Sequence, residues 1–113
     1  MTESTTRLDP ALAVEFHANP LGPFAPALDR LVNTMRRAPL PGKHFLIRDS
    51  VTQELILAQQ GLRRGAPFVR HDAIRFKTKT EAEWYVFCLR WRAMTGEAPP
   101  HDVVGNGLGR DAP

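Results

Sequence analysis

The order of hydrophobic periods along this chain predicts an α+β fold: two N-terminal helices, a small three-stranded antiparallel sheet and one long C-terminal helix. Three observations carry the prediction. Leu28, Leu31, Val32 and Met35 recur at helical spacing. The period then shortens to two in residues 43–49 and 54–59. Residues 78–96 return to a helical period, and they carry two apolar stripes instead of one.

The elements follow in order. Residues 1–8 are polar and form a flexible N-terminal stretch, after which Asp9 and Pro10 supply an N-cap and a first helical position for a short helix through Ala18. The run NPLGPFAP, residues 19–26, is a turn. Pro26 opens the second helix, and Pro39, Pro41 and Gly42 end it. In KHFLIRD, residues 43–49, Phe45 and Ile47 share a face; ELILAQ, residues 54–59, is its partner, and Asp49-Ser50 marks the hairpin turn. Gly61 and Gly65 interrupt the pattern, Pro67 marks a strand start, and Ile74 and Phe76 alternate with Ala73 and Arg75 in a third strand. Thr78 with Glu81 forms a capping box for the long helix, and Gly96 suits its C′ position. The single α+β domain is therefore placed at residues 9–96, with an irregular Pro- and Gly-rich tail at 97–113.

The long helix poses the main structural question. At about 100° per residue, Ala82, Tyr85, Val86, Leu89 and Ala93 occupy one face. Trp84, Phe87, Cys88, Trp91 and Met94 occupy the opposite face, with Glu83/Arg90 and Glu81/Arg92 in the seams. A helix apolar on both sides is covered on both sides, by its own chain or by another. Trp84, Phe87, Cys88, Trp91 and Met94 are therefore the candidate interface, with core packing as the alternative. The same choice bears on the sheet. If the first two helices pack on the second stripe, the far face of the sheet stays open to a partner.

Composition narrows the function classes. The chain has 113 residues, 42% of them hydrophobic, which suits one domain with a modest core. No apolar run has the length of a membrane span, and the N-terminus lacks the pattern of a signal peptide, so a cytoplasmic location is expected. The net charge of +3 is compatible with solvated surface, a protein interface or a nucleic-acid site. His17, His44, His71 and His101 are dispersed, and the single cysteine, Cys88, lies mid-helix, so no metal or cofactor site is expected. Cys88 has no activating base nearby in sequence, and His71-Asp72 would point to opposite faces of a strand. The glycine-rich run at 105–109 follows no strand and opens no helix, which excludes a phosphate cradle. No catalytic residue is assigned.

The strings FHANPLGPFAPALDRLVNTMRRAPLPGKHFLI, ELILAQQGLRRGAPFV and FKTKTEAEWYVFCLRWRAMTG resemble the small subunit of bacterial N,N-dimethylformamidase over roughly residues 17–96. The most recognisable parts are His17-Ala18-Asn19-Pro20-Leu21-Gly22, the Pro-Leu-Pro-Gly-Lys run ending at Lys43, and Phe76 leading through Thr78 into Glu81-Ala82-Glu83. The resemblance implies a small, non-catalytic partner in a hetero-oligomeric amide hydrolase whose iron is held by the large catalytic subunit. It also implies no cofactor in this chain. The competing reading is a small nucleic-acid-binding module that lays its sheet in the major groove, with Arg48, Arg63, Arg64, Arg70 and Arg75 as contacts.

Overall fold

A computed structural model describes residues 7–37, 43–61, 63 and 65–104. The glycine-rich run, the end of the tail and Arg64 lie outside the described residues. The element order is α1 (Pro10–Ala18), α2 (Pro26–Arg37), β1 (His44–Arg48), β2 (Leu55–Gln59), β3 (Val69–Phe76) and α3 (Lys79–Thr95). The chain is thus α+β, as its periodicity predicts.

Local chemistry fixes the boundaries. Asp9 accepts the Ala11 amide at 3.0 Å through Oδ1, ahead of Pro10. Thr78 Oγ1 accepts the Glu81 amide at 3.2 Å, and Gly96 closes α3 in the left-handed region, its amide donating to the Arg92 carbonyl. In the hairpin turn the Asp49 carboxylate takes the amides of Val51 and Thr52 at 2.7 and 3.2 Å, so one side chain holds the reversal between β1 and β2. Gly61 leaves β2 where a Cβ would sit 2.6 Å from Ala66 Cβ, so only glycine fits that approach.

The sheet runs β1-β2-β3, antiparallel throughout. Leu46 faces Leu57 and Phe45 faces Ala58 across β1 and β2. Between β2 and β3 the register shifts: Ile56 pairs with Arg75, but Leu57 pairs with His71. Residues 72–74 therefore form a bulge. It lengthens the third strand toward Val69 and breaks the simple alternation expected of it.

The layers decide what each face meets. Leu57 joins the main core, with Leu46, Ile74 and Phe76 packed against it, so this face of the sheet lies on α3. Ala13 and Phe16 of α1, and Leu28, Leu31, Val32 and Met35 of α2, belong to the same core as Trp84, Phe87, Cys88 and Trp91. The two N-terminal helices thus cover the second stripe of α3, and α3 becomes the middle layer between them and the sheet. Packing also continues past Gly96. Residues 97–104 carry no helix or strand, yet Val104 is buried and the His101 carbonyl accepts the Trp84 indole N–H at 3.1 Å. Arg92 pairs with Asp102 at 2.6 Å in place of the expected seam with Glu81.

Candidate functional site

The residues of the candidate interface pack, in the free chain, against its own helices. Trp84, Phe87, Cys88 and Trp91 are between 0% and 4% exposed, and Met94 is half-buried against the same core. The cause is α1. Phe16 lies on Phe87 with ring centroids 4.1 Å apart and on Trp84 at 6.0 Å, while Phe24 backs Phe16 at 5.4 Å. The remaining side of Trp84 meets the His17 ring at 4.7 Å, and His17 stacks on His101. An aromatic stack that large buries most of its area inside the chain.

The face of the sheet turned away from α3 has no helix on it. Phe45 and Ile47 of β1, Ile56 and Ala58 of β2, and Arg70 and Arg75 of β3 are paired across it. Ile56 and Ala58 are fully buried by their neighbours, but Phe68, edge-on to Phe45 at 5.6 Å, remains 50% exposed. Around this aromatic pair the charges are paired. Arg75 bridges Asp49 at 2.9 Å and Glu54 at 3.4 Å, and Arg70 bridges Asp72 at 2.8 Å. The Arg75 guanidinium and two main-chain amides hold the Asp49 carboxyl down at about 2. Arg48 donates to the Gln53 carbonyl at 2.6 Å. Of the arginines that a groove-binding reading needs, Arg70 and Arg75 on this face are thus tied to carboxylates, and Arg48 of the same hairpin to a carbonyl.

The other face of the sheet holds a polar group of residues that the sequence reading did not connect. His71 Nε2 lies 3.1 Å from Gln59 Oε1, and the His44 ring is tilted against His71 at 6.1 Å. Arg90 reaches from α3 to the His44 carbonyl at 3.2 Å. Burial, then His71 and Arg90, push the His44 imidazole down to about 4, and burial also lowers His71. Both rings sit on the helix side of the sheet, His71 buried and His44 half-buried. The only signal for this group in the sequence is Arg90, a cation standing in a seam of the long helix.

The remaining reactive types are equally constrained. Burial pushes the Cys88 thiol up to about 12, so it carries no thiolate at neutral pH. His71 and Asp72 do diverge: His71 is buried, whereas Asp72 pairs outward with Arg70. A cleft of about 400 Å³ opens between the end of α1, the start of α3 and Val103, with His17, Phe76, Glu81 and Tyr85 among its walls. Among the described residues no three His, Cys, Asp or Glu side chains are grouped to hold a metal ion, and no helix is long and apolar enough to cross a membrane.

No curated protein matches the chain. A family model described as the N,N-dimethylformamidase alpha subunit matches residues 2–99, which takes in every helix and strand described above. With that span matched, the chain belongs to the N,N-dimethylformamidase alpha-subunit family.

Proposed function

We propose that the chain is the small, non-catalytic subunit of an N,N-dimethylformamidase-like amide hydrolase, which supports a large catalytic subunit in a cytoplasmic hetero-oligomer. The observation that carries this reading is the open sheet face. The chain uses both N-terminal helices to complete its own core, and it leaves Phe45, Ile47 and the half-exposed Phe68 as an apolar centre ringed by paired charges. An apolar centre inside a polar rim is the ordinary anatomy of a protein interface. The described donors do not fit a resident iron: His71 is turned to Gln59, His17 and His101 are stacked on one another, and among the described residues no three His, Cys, Asp or Glu side chains are grouped. Iron and the amide-cleaving groups accordingly belong to the large subunit in this reading. A sheet laid in a DNA groove is disfavoured by the internal pairing of Arg70 and Arg75.

The deciding experiment is purification of the tagged chain from its native host, with mass and metal analysis of the product. A large chain at fixed stoichiometry, carrying iron and releasing dimethylamine from dimethylformamide, is expected. Iron or amide hydrolysis in the separated small chain overturns the proposal, as does its recovery as a free monomer.

A further inference from the structure

Where the end of α2, the start of β1 and the middle of α3 meet, cations gather with no carboxylate within ion-pair distance among the described residues, Glu83 acting on Arg90 only from further off. The Lys43 ammonium donates to the main-chain carbonyl of Arg36, and Arg90 donates to that of His44. Every carboxylate pair among the described residues lies elsewhere, on Arg70, Arg75 or Arg92. Residues 38–42, APLPG, add no charge to the sequence between α2 and β1. Arg90 is half-buried, and its Nε is enclosed without a hydrogen-bond partner. Of the five N–H donors of its guanidinium, one is engaged by the His44 carbonyl. The cations also act on one another: burial and Arg90 lower the Lys43 ammonium, while burial lowers Arg90, Glu83 partly offsets that, and Arg36 lowers it further.

We propose that this cationic notch of Arg36, Lys43 and Arg90 receives an aspartate or glutamate side chain of the large subunit. The inference rests on the reading of the chain as a small subunit and names the chemistry of its contact. A carboxylate is the fitting partner because a guanidinium and an ammonium converge on one small, partly desolvated place, where an opposite charge gains most. A nucleic-acid backbone needs a track of cations, whereas Arg48, Arg70, Arg75 and Arg92 are each engaged within the chain. An incoming carboxylate also relieves the repulsion between Lys43 and Arg90 that the free chain retains. Part of the affinity for the large subunit is thus electrostatic and screened by salt.

The test uses the complex as purified from the native host. Dissociation of the large chain is measured from about 0.05 to 0.5 M salt for the wild type, Arg36→Gln and Lys43→Gln. Both substitutions leave the Arg36 carbonyl in place, and their urea midpoints are checked against the wild type. Each is expected to weaken assembly about tenfold or more and to flatten the salt dependence, while Lys43→Arg keeps both. Unchanged affinity and salt dependence in a complex that does form overturn this inference and leave the proposed function standing. A wild-type chain that carries no large partner overturns both. Duplex DNA binding that is lost in the same two variants also overturns the carboxylate assignment.

Discussion

Replacing Phe16 by Ala tests the central feature of the architecture, the covering of α3 by α1. The ring is 4% exposed and lies 4.1 Å from Phe87, 5.4 Å from Phe24 and 6.0 Å from Trp84. Removing a buried phenyl costs about 3–5 kcal/mol through lost transfer energy and the cavity left behind. Part of that, about 0.5–1.5 kcal/mol, belongs to the ring-on-ring geometry with Phe87. The total is a large fraction of the roughly 5–15 kcal/mol that holds a domain of this kind together. At about 4 °C or more per kcal/mol for a chain near this size, the midpoint of thermal unfolding should fall by more than about 10 °C. Urea unfolding of the isolated chain, followed by the fluorescence of Trp84 and Trp91, is the assay; the midpoint should drop with little change in slope. A double-mutant cycle with Phe87→Leu isolates the stacking contribution. A cost below about 1 kcal/mol, the value expected of a surface residue, would refute the reasoning. It would mean that the second stripe of α3 is open, and that Trp84 and Trp91 are free for a partner after all.

The open sheet face makes the opposite prediction: Phe68→Ser should change the stability of the separated chain by less than about 1 kcal/mol yet weaken assembly by about 2 kcal/mol if the aromatic pair is an anchor. Comparing urea midpoints with the affinity of the purified complex checks it. His44 and His71 set the acid response. Both imidazoles are held below the ordinary 6.5 in the folded chain, His44 at about 4, so the unfolded chain binds protons more tightly. Stability should therefore be full above about pH 6.5 and decline toward pH 4, with His44→Gln flattening that decline in urea titrations at fixed pH. Asp49, held at about 2 against an ordinary 3.8, adds a second loss only below that window. Finally, Cys88 should resist a thiol reagent in native buffer and react only on unfolding, since its thiol is buried and raised to about 12; rapid native labelling would contradict its placement.

Most of the secondary structure was legible because it depends on local chemistry. Asp9-Pro10, Thr78 with Glu81, and Gly96 all act within a few residues of themselves, and each sits where its cap requires. The pairing of residues 43–49 with 54–59 follows from a period of two and a turn held by Asp49. What could not be read was which element covers which face. The two stripes of α3 demanded cover, but nothing in the spacing of Phe16 or Leu28 says whether a helix docks on α3 or on the sheet. The bulge at residues 72–74 escaped for a related reason: Arg75, which follows it, pairs with Asp49 and Glu54, partners from the distant β1–β2 turn. The group of Arg36, Lys43, His44 and Arg90 was invisible because its members come from three elements and share no motif.

The internal stack around Phe16 also bears on how the proposed complex would form. Had the aromatic stripe of α3 faced outward, the free chain would carry a large apolar patch, and its folding would be coupled to assembly. With the stripe closed by α1 and α2, the surfaces left for a partner are the junction of α2, β1 and α3 and the open sheet face, where Arg75 and Asp49 already fix the geometry of β3 against the β1–β2 turn. A fixed surface loses little conformational entropy on docking. Association in the proposed complex is then a meeting of preformed faces, steered by the unpaired cations of Arg36, Lys43 and Arg90 and made durable by Phe45 and Phe68. The two contributions are separable in the rates: substitutions in the cationic notch should act mainly on the association rate and its salt dependence, and those at the aromatic pair mainly on the dissociation rate. Association that is slow, insensitive to salt and accompanied by a gain of helical signal would instead show that the chain completes its fold on its partner, contrary to the core that Phe16 builds.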